Sequence, residues 1–149
     1  MEYQSTRSKS VKASSTGAVL QGLASDGGLF VTKNYDGFDW RGTLSLGTQA
    51  MAEKILSRLL PDFEDMETLV KNAYEGKFET EELTPLVPVG DKYVLELFRG
   101  PTSAFKDVAL SMLPQLLTAA KSAKGMEKDI LILTATSGDT GKAALEGFH

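Results

Sequence analysis

Asp129-Ile130-Leu131-Ile132-Leu133-Thr134, running into Thr136-Ser137-Gly138-Asp139-Thr140-Gly141 and then Lys142-Ala143-Ala144, decides the fold class. Four consecutive large apolar residues suit a strand buried on both faces, as in a parallel sheet. A polar loop with two glycines follows, and a helix is expected to open near Lys142. Upstream, Val108, Ala109, Met112, Leu113, Leu116, Leu117 and Ala120 recur at helical spacing from Phe105 for about four turns. Pro114 interrupts that helix, removes one backbone donor and predicts a kink. Helix, buried strand, loop and helix make an α/β arrangement.

Further out, Leu86-Val87-Pro88-Val89 and Tyr93-Val94-Leu95-Glu96-Leu97-Phe98 flank Gly90-Asp91-Lys92 and read as a hairpin. Pro88 assigns its strand to an edge or a bulge. Thr43 is the expected cap of a helix from Leu44 to about Leu60, ended by Pro61. Its stripe is Leu44, Met51, Ile55 and Leu59, with Ala52, Leu56 and Leu60 beside it. Residues 64–75 form a second, shorter helix with Met66, Leu69, Val70 and Ala73 buried. Residues 17–31 read as a short helix at Ala18–Leu23, a turn at Asp26-Gly27-Gly28 and an extended Leu29-Phe30-Val31. A Ser/Lys-rich stretch covers residues 8–15, and no repeat is present.

Composition narrows the function classes. The chain has 149 residues, 42% hydrophobic and 24% charged, ordinary values for a globular protein. A net charge of −4 gives no basic surface for nucleic acid. No apolar run approaches the roughly 20 residues of a membrane span, and the first residues lack the apolar core of a secretory signal. With no cysteine, disulfides, thiolate catalysis and cysteine metal sites are excluded. One histidine, His149, rules out a histidine triad or a multi-histidine metal site within these residues. A cytoplasmic setting is the expectation.

Chemistry concentrates at two places. Arg99-Gly100-Pro101-Thr102-Ser103-Ala104-Phe105-Lys106-Asp107 puts one lysine in the first turn of an amphipathic helix, with Thr102 or Ser103 as the expected cap. An ordinary lysine amine, with a pKa of about 10.4, is almost wholly protonated near neutrality. The positive end of a helix and partial burial both favour the neutral amine. A lysine so placed, bordering the apolar stripe that Phe105 begins, suits Schiff-base formation with an aldehyde cofactor. The alternative is a solvated surface lysine, with Asp107 merely an acid favoured at a helix start.

The loop at 136–141 follows a strand and precedes a helix, where exposed backbone donors favour an anion. Thr136, Ser137 and Thr140 add hydroxyls, while Gly138 and Gly141 allow close approach. The alternative is a plain turn with capping residues. A nucleotide P-loop needs glycine five residues before Gly141-Lys142 and a hydroxyl after the lysine; Thr136 and Ala143 stand there. The dinucleotide fingerprint fails on its glycine spacing.

The stretches Glu96–Ala109 and Thr136–Ala144 closely resemble the threonine synthase family, as do Tyr3–Arg7 and Leu20–Val31. The resemblance covers essentially the whole chain. It implies the tryptophan-synthase-β-like pyridoxal phosphate (PLP) fold, fold type II. Residues 1–84 are then a mostly helical N-terminal domain with short strands, and residues 85–149 the beginning of a three-layer α/β cofactor domain.

By the same resemblance Lys106 condenses with PLP and later shuttles the proton, with Phe105 beside the cofactor. Asp139 lies near the ring's phenolic oxygen, and Thr136, Ser137, Gly138, Asp139 and Thr140 receive the amino-acid end of the substrate. No metal is implied. Family members convert O-phospho-L-homoserine and water into L-threonine and phosphate. The chemistry needs PLP as electron sink and a lysine acting as nucleophile and acid/base.

Two positions depart from the family pattern. Arg99 stands where histidine is expected, and Ser8 where glycine is usual. Relatives run to several hundred residues, so the chain is expected to be an N-terminal fragment that binds PLP weakly or not at all and is inactive alone. Apolar surface at Ile130, Ile132 and residues 142–148 is expected to favour self-association. Two other readings stay open: a phospholyase using another phosphorylated amino acid, and a non-catalytic anion-binding or interaction module.

Overall fold

A computed structural model describes residues 2–32 and 37–149. Near the N-terminus, β1 (Tyr3–Ser5) pairs antiparallel with β2 (Lys12–Ala13) and with β3 (Phe30–Val31), in the order β2-β1-β3. Gln4 lies opposite both Lys12 and Val31. The Asp26–Gly28 turn forms as expected and is tied to this sheet. Asp26 Oδ1 accepts from Gly28 N at 2.9 Å and from Ser5 Oγ at 2.7 Å.

Helix α1 (Ser15–Gln21) starts where Ser14 Oγ accepts from Gly17 N. Its first residue, Ser15, is fully buried. The N–H and hydroxyl of Ser15 both donate to Asp62 Oδ2 at 2.7 Å, which ties α1 to the segment following α2 (Thr48–Leu59). The expected start of α2 at Thr43–Leu44 is corrected. Arg41–Thr43 forms a short 3-10 turn, Leu44 is exposed, and Gly47 is the N-cap. The stripe of α2 that meets the core is Ala52, Leu56 and Leu60, not the one through Leu44.

Helix α3 (Met66–Tyr74) buries Met66, Val70 and Ala73, as its periodicity predicts. The ribbon β4 (Leu86–Val89) and β5 (Lys92–Leu95) has Pro88 opposite Tyr93. Both its strands are edges, so the missing proline donor is tolerated. Helix α4 spans Asp107–Ala123 and α5 spans Asp139–Phe148.

One apolar core joins these parts. Phe63, Met66, Val70, Ala73, Tyr74 and Leu83 pack with Met112, Leu116 and Ala120 of α4. Tyr74 adds a hydrogen bond from its hydroxyl to the Val108 carbonyl at 3.0 Å. Burial of its ring pushes the phenol pKa up. Helices α3, α1 and α5 all pack on α4, making it the central element.

The predicted strand at 129–134 does not form. The segment has no regular structure and pairs with no described strand, with Leu131 80% and Leu133 85% exposed. A strand is stabilised by its neighbours' backbone groups, and no strand lies beside this one among the described residues. The four apolar residues therefore mark a surface suited to burial without themselves creating the sheet. The fold remains mixed α/β, with helices dominant and two small antiparallel sheets.

Candidate functional site

Lys106 is the N-cap residue of α4, half-buried and with helical backbone angles. Its carbonyl accepts the first helical bonds, from Ala109 N and Leu110 N. Its Nζ lies 5.1 Å from the centroid of the Phe105 ring. That ring is 57% exposed, so the expectation that Phe105 opens the buried stripe is corrected; burial begins with Ala104 and Asp107 on either side. Ammonium and ring face share a partly open position, where cation–π attraction is worth about 0.5–1 kcal/mol.

Neither Thr102 nor Ser103 caps the helix in the predicted way, since no side-chain bond is made by the N-cap residue. Thr102 instead donates twice to Asp107, from its N–H to Oδ2 at 2.8 Å and from Oγ1 to Oδ1 at 2.6 Å. Ser103 adopts the left-handed region, at φ 56°, and its N–H donates to the Gly100 carbonyl. The chain thus loops tightly back before Lys106. A Cβ at Gly100 would come within 2.5 Å of the Asp107 carboxylate, so no larger residue fits there. Asp107, read from sequence as an ordinary helix-start acid, is 2% exposed and organises this turn. Glycine and threonine seven and five residues before the acid were the available signal.

Arg99 has a defined role. Its guanidinium bonds Glu79 at 2.7 Å and Glu96 at 2.7 Å, and its carbonyl accepts from Glu79 N. The hydrogen bonds to Glu79 and Glu96 hold its pKa above the usual arginine value. The residue braces the segment after α3 against the entry to the lysine loop, and its charge is already matched.

In the second loop, α5 begins at Asp139, three residues before the Lys142 start expected from sequence. Thr136 Oγ1 accepts from Gly138 N at 3.2 Å and Gly141 N at 2.9 Å, so this hydroxyl caps the helix. Ser137, Gly138, Asp139 and Thr140 are exposed. Gly138 has φ 145°, a conformation that admits no side chain without strain. The first N–H groups of α5 have no carbonyl one turn earlier within the helix, and Thr136 takes that of Gly141. Those of Asp139 and Thr140 remain for an anion. Asp139 Oδ1 lies 3.6 Å from Lys142 Nζ.

The two sites ride on helices that pack together. Gly147 of α5 rests on α4 at the Leu110 carbonyl, beside Pro114. Among the described residues no hydrogen bond or ion pair joins Lys106 to the 136–140 loop. A primary amine beside an open aromatic face, and a hydroxyl-rich helix start, form a donor set that fits an aldehyde cofactor and an anionic substrate group. No cluster of metal-ligating side chains occurs among the described residues, and none of their helices is long and apolar enough to cross a membrane.

Residues 2–74 match the family model described as the threonine synthase N terminus. The chain is 42% identical to a threonine synthase of Saccharomyces cerevisiae, covering 99% of this chain and 32% of the relative. It is 34% identical to human threonine synthase-like 1, over 88% of this chain and 18% of that protein. A PLP-bound threonine synthase from Brucella melitensis superposes with a TM-score of 0.88 at 36% identity, covering 99% of this chain and 33% of that one. The Escherichia coli threonine synthase gives 0.82 at 33% identity, covering 100% and 34%. The chain spans about a third of the length of these threonine synthases.

The fold thus matches the N-terminal region of threonine synthases of PLP fold type II. Within that class the chain is similar to the N-terminal third of threonine synthases, whose N-terminus model its residues 2–74 match.

Proposed function

We propose that this chain supplies the lysine and the amino-acid-binding loop of a PLP-dependent lyase that turns O-phospho-L-homoserine and water into L-threonine and phosphate. The observation that carries the reading is Lys106, half-buried at the start of α4, in a chain that superposes on a PLP-bound threonine synthase at a TM-score of 0.88. In the same proposal, residues 1–84 are the N-terminal domain and residues 85–149 open the cofactor domain.

PLP, when bound, supplies an aldehyde carbon for an amine and a conjugated ring that takes up electrons as a substrate proton leaves. Lys106 Nζ is the nucleophile toward that carbon and afterwards carries the proton between substrate positions. Phe105 offers a ring face next to the amine, which shields one side from water. Asp139, in the first turn of α5, would serve the cofactor's phenolic oxygen. The hydroxyls of Ser137 and Thr140, the Thr136–Gly138 backbone and the free donors of α5 hold the substrate carboxylate. Arg99 is not assigned to the substrate, because Glu79 and Glu96 already neutralise it.

The test joins this chain to the remaining two thirds of the Saccharomyces cerevisiae relative. Phosphate release from O-phospho-L-homoserine is expected from the chimera and is lost with Lys106→Ala, while the 149-residue chain alone releases none. A folded chimera that stayed fully active without Lys106 would overturn the assignment. In a second reading the same lysine serves another phosphorylated amino acid. Preference for such a substrate over phosphohomoserine in the full-length protein would favour it.

A further inference from the structure

We infer that Asp107 is a positioning residue for Lys106: its buried carboxylate clamps Thr102 and so fixes the loop that presents the amine. This rests on the reading of Lys106 as the reactive group and adds the residue that places it. The carboxylate does not behave as a helix cap. A capping side chain accepts from N–H groups two or three residues ahead of it, inside the helix. Asp107 reaches backwards instead, to the N–H and hydroxyl of Thr102, five residues earlier and outside α4. Phe105 and Lys106 lie within the ring that these two bonds close.

The remaining geometry is consistent with a clamp. Asp107 N donates to the Ala104 carbonyl at 3.0 Å, and Ser103 N to the Gly100 carbonyl at 3.0 Å, so two tight turns stack in eight residues. Ser103 is held in the left-handed region, which costs energy for a residue with a side chain and persists only where its surroundings over-determine it. Gly100 leaves room for the carboxylate and no more. A buried carboxylate with both oxygens bonded by one residue is a strong, directional tie. If the loop let go, the amine would gain freedom while the helix behind it, keyed into the core through Met112, Leu116 and Ala120, would stay put.

The experiment uses the 149-residue chain and needs no cofactor. Reductive methylation with formaldehyde and cyanoborohydride, read by mass spectrometry, gives the rate at Lys106 relative to the exposed Lys71 and Lys92. In the parent chain Lys106 reacts more slowly than both. Asp107→Asn weakens the bidentate tie, and Thr102→Val removes one of its two bonds while leaving the backbone one. Loss of one hydrogen bond to a charged group raises local opening about tenfold, so Lys106 labelling accelerates several-fold toward that of Lys71 and Lys92, whose own rates hold. Thr102→Ser, which keeps both donors, restores the slow rate.

A purely structural role would shift the melting temperature and leave the relative rate of Lys106 in the folded state unchanged; that result overturns the inference. Should Asp107→Asn fail to fold by far-ultraviolet circular dichroism, Thr102→Val decides by the same criterion. An inactive chimera would sink the lyase reading and leave the labelling result standing, so the two failures are distinguishable.

Discussion

Asp62 ties the start of α1 to the segment after α2 and Asp26 holds a turn, each through one carboxylate, and both are set below the ordinary carboxylate range. For Asp62 the first cause is the hydrogen bond from the Ser15 hydroxyl, then the one from the Ser15 N–H. For Asp26 it is the Ser5 hydroxyl, then the Gly28 N–H. A folded-state pKa below the unfolded value of 3.8 means the native chain binds the proton less readily than the unfolded one. The stability these groups add is present above that value and drains away as pH falls through the folded pKa. Melting temperatures measured from about pH 6 down to pH 3 should therefore fall, and Asp62→Asn should lower the plateau and flatten part of the slope. An unchanged slope in the variant would show that Asp62 contributes nothing to it. Not all of this was legible beforehand. Asp26-Gly27-Gly28 reads as a turn from its own residues, but the Asp62–Ser15 tie spans 47 positions and leaves no local signature.

Among elements, the crossing of α4 and α5 carries the sharpest expectation. Pro114 has no N–H to give the Leu110 carbonyl one turn earlier. Gly147 lies against that same carbonyl, where an added Cβ would collide with it. Close approach of a glycine Cα–H to a carbonyl recurs at helix–helix contacts. Helix propensity alone says Gly147→Ala should stabilise α5 by about 1 kcal/mol. Overpacking against backbone costs about 1–3 kcal/mol, and backbone cannot swing aside as a side chain can. Packing should win, so urea denaturation is expected to show the alanine variant less stable; a gain would refute the contact. The helices α3 and α4, most of α1 and the β4–β5 ribbon were readable because their signals are local, periodicity and a Gly-Asp turn, whereas the expected caps were not the ones used. Strands β1 and β2 were not, having three and two residues and deriving their pairing from distant partners. Residues 129–134 were misread for the complementary reason, since a strand's sequence states its preference for burial and the sheet must come from elsewhere. At the site, Lys106 and the 136–141 loop stood out by motif. Asp107 did not, because its bonds run backwards along the chain.

At the scale of the whole molecule, Leu131 and Leu133 are the most exposed large apolar side chains among the described residues. Leu131 and Leu133 alternate with the less exposed Ile130 and Ile132, giving this unpaired segment an open apolar side. Leu145 on α5, at 66% exposure, and Tyr93, Val94 and Leu95 on the ribbon are exposed as well. The outward residues are thus Leu131 and Leu133 more than the Ile130 and Ile132 expected from sequence. Unpaired edges with apolar side chains template association between copies. Size-exclusion chromatography at rising concentration should show the 149-residue chain moving to dimers or larger species, and Leu131→Lys with Leu133→Lys should return it to monomer. A monomer throughout would count against that surface.

The core is placed so that the lysine has a lever behind it. Met112, Leu116 and Ala120 are wedged among Phe63, Met66, Val70, Ala73 and Leu83, while the amine sits at the N-terminal end of the same rod, where Asp107 holds Thr102. Any tilt of the α3 layer must therefore arrive at Nζ as a displacement.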